Sequence, residues 1–312
     1  MTALPEAPAR TTPDAVTFLE LEITGRCQLT CSSHCYAQAG PTNGHGTMTA
    51  EDWRRVIDES VQLGVETVQF IGGEPTMHPD FAALVEYALN AGLGVQVFSN
   101  LYRVRQEHWE LFAHPRVGLG SSYYSDDPTE HDEITGRKGS HDSTRANILE
   151  AVRRGIPVKV GIIHMREGQR TEEARAEMEA LGVKRVHVDR VRAVGNAART
   201  PVIPSMSELC GRCADGKAAV LPDGTVTPCV LGRFLPAGSV KTGRLAAVFA
   251  GQQWARVAAS IPRRRSSSCV PDTCTPKEDS CQPSPGIVTG CNPDSDGSDC
   301  SPAESPACNP AY

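Results

Sequence analysis

The sequence predicts an α/β protein whose main part is a series of parallel strands linked by helices, arranged as an α/β barrel or an open sheet. Three observations carry this. Strand-like and helix-like segments alternate six times, or nearly so, between residues 15 and 195. Polar, glycine-rich or cysteine-rich loops follow the ends of the first two strands, where α/β folds place their chemistry. The composition then changes near Gly195, which marks a second, smaller unit.

The elements follow in order. Thr17–Thr24 reads as the first strand and Thr67–Ile71, rich in β-branched and aromatic residues, as the second. Between them Ala50–Leu63 is helical, with Thr49 as N-cap ahead of Glu51 and Asp52. Pro79–Ala91 forms the next helix, closed by Gly92, and leads to a strand at Gly94–Phe98. A helix at Val104–Ala113 precedes a short strand at Val117–Gly120. The stretch Ser121–Ser140 is so rich in Asp, His, Gly and Ser that it is expected to be a polar insertion without a buried element. Helix Asp142–Arg154, strand Pro157–Ile163, helix Thr171–Leu181 and strand Val183–Asp189 complete the rhythm. No strand is followed by Gly-x-Gly-x-x-Gly, so nothing marks a dinucleotide fold.

In residues 196–260 the centre is a hairpin, Ala218–Cys229, turning at Asp223-Gly224. A short helix is expected over Leu245–Ser260. From Ser266 the chain is Ser, Pro, Asp, Gly and Cys with almost no apolar residues, so ligands must hold it or it stays disordered. The expected division is a leader at 1–14, the α/β unit at 15–195, a small cysteine-bearing domain at 196–290 and a tail at 291–312.

Composition narrows the function. Net charge is −6 and no basic block forms a duplex-binding face, which argues against nucleic acid; Arg263-Arg264-Arg265 reads as a solvated linker. No apolar run is long enough for a membrane span, and the N-terminus lacks a signal segment, so a cytoplasmic protein is expected. Twelve cysteines in a reducing compartment point first to metal or iron–sulfur ligation, with a disulfide-rich tail as the competing reading for the last six.

Cys27, Cys31 and Cys35 cluster in one loop after the first strand, followed by Tyr36; Gly72-Gly73-Glu74-Pro75 follows the second. Together these motifs resemble the radical S-adenosylmethionine superfamily over roughly residues 15–200. That resemblance implies a partial (β/α)6 TIM-like barrel with a small C-terminal auxiliary iron–sulfur cluster domain. It makes Cys27, Cys31 and Cys35 the ligands of a [4Fe–4S] cluster whose open iron takes S-adenosylmethionine, the source of a hydrogen-abstracting 5′-deoxyadenosyl radical. Tyr36 would lie against the adenine, and Gly72, Gly73 and Glu74 would line the methionine end, with backbone carbonyls or Glu74 accepting from the ammonium group. Ser99, Asn100 and Ser121 would contact ribose or carboxylate, and Arg192 the cofactor or a peptide carboxylate. One departure stands out: the spacing is C-x3-C-x3-C, where the family usually has C-x3-C-x2-C. The extra residue requires a bulge in the loop.

A second pattern, C-x10-G-x4-C over Cys213, Gly224 and Cys229, is similar to the opening of the SPASM extension, which holds auxiliary clusters. Cys210, Cys269, Cys274 and Cys281 are the further ligand candidates, with Cys291, Cys300 and Cys308 behind them, for one or two auxiliary [4Fe–4S] clusters.

The resemblance implies a maturase that forms a carbon–carbon or thioether crosslink in a ribosomally encoded precursor peptide. It would be served by a reducing electron-transfer protein and, with no leader-binding module in view, a separate leader-recognition protein. Peptidyl α-carbon epimerisation and Ser or Cys side-chain oxidation are the enzymatic alternatives, and a non-catalytic iron–sulfur carrier or scaffold the alternative from another class. No Ser-His-Asp arrangement or His-Glu-x-x-His motif supports a hydrolase.

Overall fold

The structure, a computed structural model, describes residues 15–31, 33–198 and 204–262. Six parallel strands alternate with helices: β1 (Phe18–Thr24), α1 (Ala50–Gln62), β2 (Thr67–Gly72), α2 (Phe81–Asn90), β3 (Gly94–Phe98), α3 (Gln106–Phe112), β4 (Val117–Tyr123), α4 (Pro128–Thr135), α5 (Ser140–Arg153), β5 (Val158–His164), α6 (Thr171–Ala180) and β6 (Arg185–Arg190). The sheet runs in sequence order from β6 to β1, a partial (β/α)6 barrel. It then continues past β1 into β7 (Lys217–Val220), β8 (Thr225–Thr227) and β9 (Gly238–Ser239). β7 lies parallel to β1, with Glu20 opposite Ala219, so the C-terminal hairpin is hydrogen-bonded directly to the barrel wall. The chain ends its described course in α7 (Leu245–Phe249) and α8 (Gln252–Ser260), two helices where one was expected, separated at Ala250-Gly251.

Every residue of β1 is buried, although its sequence alternates Leu and Glu. Alternation normally means one dry and one wet face. Here Leu19, Leu21 and Ile23 join the main core, whereas Glu20 and Glu22 are covered by the C-terminal segment through Lys217 and Arg233. The main core also takes Trp53, Val56 and Ile57 from α1 and Phe81, Leu84 and Val85 from α2. Burying each such side chain contributes roughly 1.5–3 kcal/mol. A separate small apolar cluster, Ile71, Ala219 and Val230 with Tyr36 and Phe98 against it, lies on the other face of the sheet.

α1 begins as expected: Thr49 accepts from the Asp52 N–H, and the Asp52 carboxylate accepts from the Thr49 N–H, a reciprocal capping box. The stretch expected to be an unburied polar insertion differs. β4 continues to Tyr123, and Pro128–Thr135 is a helix that buries His131, Ile134 and Thr135. Its polar residues are consumed locally. Asp127 caps α4 by accepting from the Glu130 N–H, and Asp132 accepts from the backbone of Gly139 and His141 and from Ser140 Oγ. Composition cannot reveal this, because a polar side chain satisfied by its neighbours buries at little cost. Among the described residues no helix is long and apolar enough to cross a membrane.

Candidate functional site

One cavity opens at the C-terminal ends of the parallel strands. It is lined by Cys27, Cys31, His34, Cys35 and Tyr36 from the loop after β1, by Gly72 and Gly73 from the end of β2, and by Phe98 at the end of β3 and Asn100 just beyond it. Ser122, Tyr124, Ile163, Arg192 and Leu231 close the remaining sides.

Local geometry explains why the cysteine loop sits here. The Gly73 N–H donates to Thr24 O and the Glu74 N–H to Arg26 O, both at 2.8 Å, so the loop runs hard against the end of β2. A Cβ at Gly73 would stand 2.4 Å from Arg26 O and 2.8 Å from Ala39 Cβ. The glycine pair therefore first admits the protein's own loop. On the other side the Thr30 N–H donates to Thr135 O at 3.1 Å, docking the loop on the C-terminus of α4. Asn196 closes the arrangement: its N–H donates to Cys35 O at 2.9 Å and its Nδ2 to Cys31 O at 3.3 Å.

Two of the three sulfurs face N–H donors of the kind that suit a thiolate ligand, while Cys31 Sγ lies 3.7 Å from Thr135 O. Cys27 Sγ faces the Leu29 N–H at 3.4 Å and Asn100 Nδ2 at 3.5 Å, and Cys35 Sγ faces the Ala39 N–H at 3.3 Å. Donors aimed at sulfur stabilise its negative charge once a metal takes the proton's place. Burial pushes the Cys27 and Cys35 thiols up, and pushes Cys31 up to about 12 with help from neighbouring Cys35. Bare, these are neutral thiols; a bound cationic cluster would make them thiolates. The buried Tyr36 hydroxyl has no hydrogen-bond partner within the protein and lines the same space. The donor set, with an orphaned hydroxyl nearby, fits a thiolate-held cluster.

Not every expected contact is placed as the motif suggested. Gly72, Gly73, Tyr36, Asn100 and Arg192 line the cavity. Glu74 does not: it is 1% exposed, and its carboxylate accepts from the Thr76 N–H and hydroxyl, from Ser99 Oγ and from the Asn100 N–H. Burial raises its pKa in spite of those bonds. It is a peg that holds the β2 and β3 loops together, with its acceptor sites used from inside the protein. Ser99 is its partner and is likewise buried away from the cavity. Ser121 is fully buried among Leu119 and Tyr123 on the helix-packed face, and its neighbour Ser122 lines the cavity instead. Extending β4 by three residues sets this parity, because side chains alternate along a strand. Arg192 is committed to Asp189, at 2.8 Å to both carboxylate oxygens, and donates to Glu208 O at 3.0 Å.

His34, one of the three residues between Cys31 and Cys35, reaches the cavity, where its Nε2 lies 3.0 Å from Tyr124 Oη. Burial lowers its pKa to about 4, so it is a neutral imidazole at neutral pH. Tyr123 points away and donates to Glu177, Asp126 pairs with Arg170, and His164 is exposed beside Thr171. Phe98, Ile163 and Leu231 carry no motif; only strand parity and the long-range return of the chain mark them.

A second group of sulfurs lies behind β1. Cys210, Cys213 and Cys229 are buried, with Cys213 Sγ 2.9 Å from Cys229 Sγ and 4.0 Å from Cys210 Sγ. The hairpin turn at Gly224, with φ of 84°, brings Cys229 back to Cys213. The contact with Cys213, helped by Lys217 in its 3.2 Å ion pair with Glu20, lowers the Cys210 thiol, while the thiol contacts push Cys213 up. This donor chemistry fits a cationic cluster as well. Cys269, Cys274 and Cys281, and Cys291, Cys300 and Cys308 with them, lie outside the described residues.

The chain is similar to several known proteins. It is 32% identical over 143 residues to the subtilosin biosynthesis protein AlbA of Bacillus subtilis, covering 45% of this chain and 32% of AlbA. It is 31% identical over 215 residues to the PqqA peptide cyclase of Ruegeria pomeroyi, covering 65% and 55%. The chain thus spans about a third to a half of the length of these relatives. Among solved structures, Streptococcus suis SuiB bound to precursor peptide SuiA superposes with a TM-score of 0.65 at 14% identity, over 80% of this chain and 67% of SuiB. The anSMEcpe structure with bound AdoMet and the Cp18Cys peptide gives a TM-score of 0.57 at 11% identity, over 77% and 81%. Both likenesses show the same fold. The model of the Radical SAM superfamily matches residues 21–188, more than half of the chain and most of the stretch from β1 to β6. With more than half of the chain matched and a parallel partial barrel built from that stretch, the chain belongs to the Radical SAM superfamily.

Proposed function

We propose that this protein is a radical S-adenosylmethionine enzyme that matures a ribosomally synthesised peptide by forming a carbon–carbon or thioether crosslink. The observation that carries the reading is the convergence of Cys27, Cys31 and Cys35 with Gly72 and Gly73 on one cavity at the strand ends. The relatives named for subtilosin biosynthesis and PqqA cyclisation support a peptide as substrate. When bound, a [4Fe–4S] cluster and S-adenosylmethionine supply one-electron cleavage of the sulfonium and a hydrogen-abstracting radical.

The chain's own residues hold and shield that chemistry. Cys27, Cys31 and Cys35 are the cluster ligands, oriented by the Leu29 and Ala39 amides and by Asn100. The backbone of Gly72 and Gly73 borders the space for the methionine end, and Tyr36 borders the adenosyl side. Glu74 fixes Asn100 and so the orientation of its amide toward Cys27. Phe98, Ile163 and Leu231 make the wall apolar, which excludes water from a reactive carbon centre. Cys210, Cys213 and Cys229 hold an auxiliary cluster, with Cys269, Cys274 and Cys281 as further ligands. The reading implies a cytoplasmic setting, a one-electron donor protein and a leader-recognition partner.

The test is 5′-deoxyadenosine formation, followed by mass spectrometry, from anaerobically reconstituted, reduced protein with S-adenosylmethionine. Turnover is expected, and Cys31→Ala is expected to abolish it. Protein with a full cluster that makes no 5′-deoxyadenosine would overturn the reading. A peptide product lighter by two hydrogens supports crosslinking; one of unchanged mass with an inverted residue supports epimerisation instead.

A further inference from the structure

Two carboxylates on the inner face of β1 grip the segment that follows Cys229. Glu20 accepts from the Val230 N–H at 2.7 Å and pairs with Lys217 at 3.2 Å, each of these two side chains no more than 3% exposed. One step up the strand, Glu22 takes both terminal nitrogens of Arg233 at 3.1–3.4 Å. Between those anchors Leu231 enters the wall of the cysteine cavity. Beyond them the Arg233 guanidinium lies over the Tyr36 ring, 5.9 Å from its centroid. Tyr36 immediately follows Cys35. The same short segment is tied to the second group of sulfurs, because the Gly232 N–H donates to Cys229 Sγ at 3.2 Å. A chain of contacts therefore runs from Cys229, through Arg233 and Tyr36, to Cys35.

A buried carboxylate at Glu22 needs a cation, and any cation would serve for that alone. The planar guanidinium does more: one flat group reaches the carboxylate with two nitrogens while its face covers an aromatic ring, which an ammonium cannot reproduce. We propose that Arg233 is a positioning residue of the cysteine cavity. Clamped on Glu22 and laid over Tyr36, it sets the wall that receives S-adenosylmethionine and makes that wall depend on the segment beginning at Cys229. This rests on the reading of the cavity given under the proposed function.

The experiment is equilibrium binding of S-adenosylmethionine to reconstituted protein, with the electron paramagnetic resonance signal of the reduced cluster recorded with and without it. Arg233→Lys keeps the charge beside Glu22 but cannot cover the ring. Arg233→Met with Glu22→Gln removes both charges at once and strands neither. Both variants are expected to keep wild-type iron content and to bind S-adenosylmethionine about tenfold more weakly, with a smaller ligand-induced change in the signal. Wild-type affinity in Arg233→Lys would overturn the inference, leaving Arg233 as charge balance for Glu22; that variant decides the matter if the double variant does not fold. Wild-type protein that holds its cluster but binds no S-adenosylmethionine would overturn the reading of the cavity, and the inference with it. Binding by wild type with no loss in Arg233→Lys overturns the inference alone.

Discussion

Gly73 shows how much a single missing side chain decides. A Cβ there meets backbone oxygen and Ala39 at distances that nothing relieves without moving the cysteine loop. Gly73→Ala is expected to cost about 2 kcal/mol, in the range of overpacked sites, and to reduce iron uptake. Thermal melting and iron analysis check both. His131 is the second residue with a measurable signature. It is 1% exposed, and burial, with the nearby His141 assisting, lowers its pKa to about 4. The unfolded chain therefore takes up a proton near pH 6.5 that the folded protein refuses. Its contribution is fully present above about pH 6.5 and is lost as pH falls through about 4, a swing on the order of 3 kcal/mol. Chemical denaturation of His131→Phe across that window should show a flatter pH dependence than wild type; parallel curves would refute the assignment. At this scale the motif was legible and its detail was not. Gly-Gly-Glu-Pro marks the place, yet Glu74 turns inward to Ser99, Thr76 and Asn100, because its neighbours in space, unknown to the sequence, satisfy it first.

Among the elements, α4 teaches most. Its composition reads as solvent-exposed, but the helix is capped at both ends, by Asp127 and by Gly136 in the left-handed conformation, and its last turn supports the cysteine loop. Asp132 holds the α4–α5 junction with three accepted hydrogen bonds. Asp132→Ala is expected to destabilise the protein by about 2 kcal/mol, since it strands those donors. It should also speed iron loss from the reconstituted protein, because Thr30 docks on Thr135. A destabilised variant that keeps its iron as long as wild type would separate α4 from the site. β1 gives the complementary lesson. Its Leu–Glu alternation has the period of a strand with one wet face, yet the wet face is roofed by Lys217, Val230 and Arg233.

The whole molecule joins two cysteine sites through one sheet. β7 extends the barrel wall on the far side of β1, so Cys210, Cys213 and Cys229 are carried on an element continuous with the one that leads to Cys27. Replacing Cys213 and Cys229 together by Ser is expected to lower iron by about four per chain, one cubane, while the S-adenosylmethionine-responsive signal survives. Loss of that signal too would mean that the second site is needed to build the first. Removing residues 290–312 tests Cys291, Cys300 and Cys308 in the same assay, where unchanged iron content rules them out as ligands.

By itself the sequence determined the family, the alternation of strands and helices in the barrel apart from α4, and the three cysteines of the loop, because period, turn chemistry and motif spacing are local properties that survive without coordinates. Tertiary structure alone decided which serine of β4 faces the cavity, that Glu74 and Ser99 are a buried peg, that His34 reaches Tyr124, and that Leu231 and Arg233 return from the far end of the chain to close the wall. Those outcomes depend on strand parity at the exact element boundary and on contacts more than two hundred residues apart between Glu22 and Arg233. Both are set by which buried polar groups find partners first, a property of the packed molecule and not of any stretch of its chain.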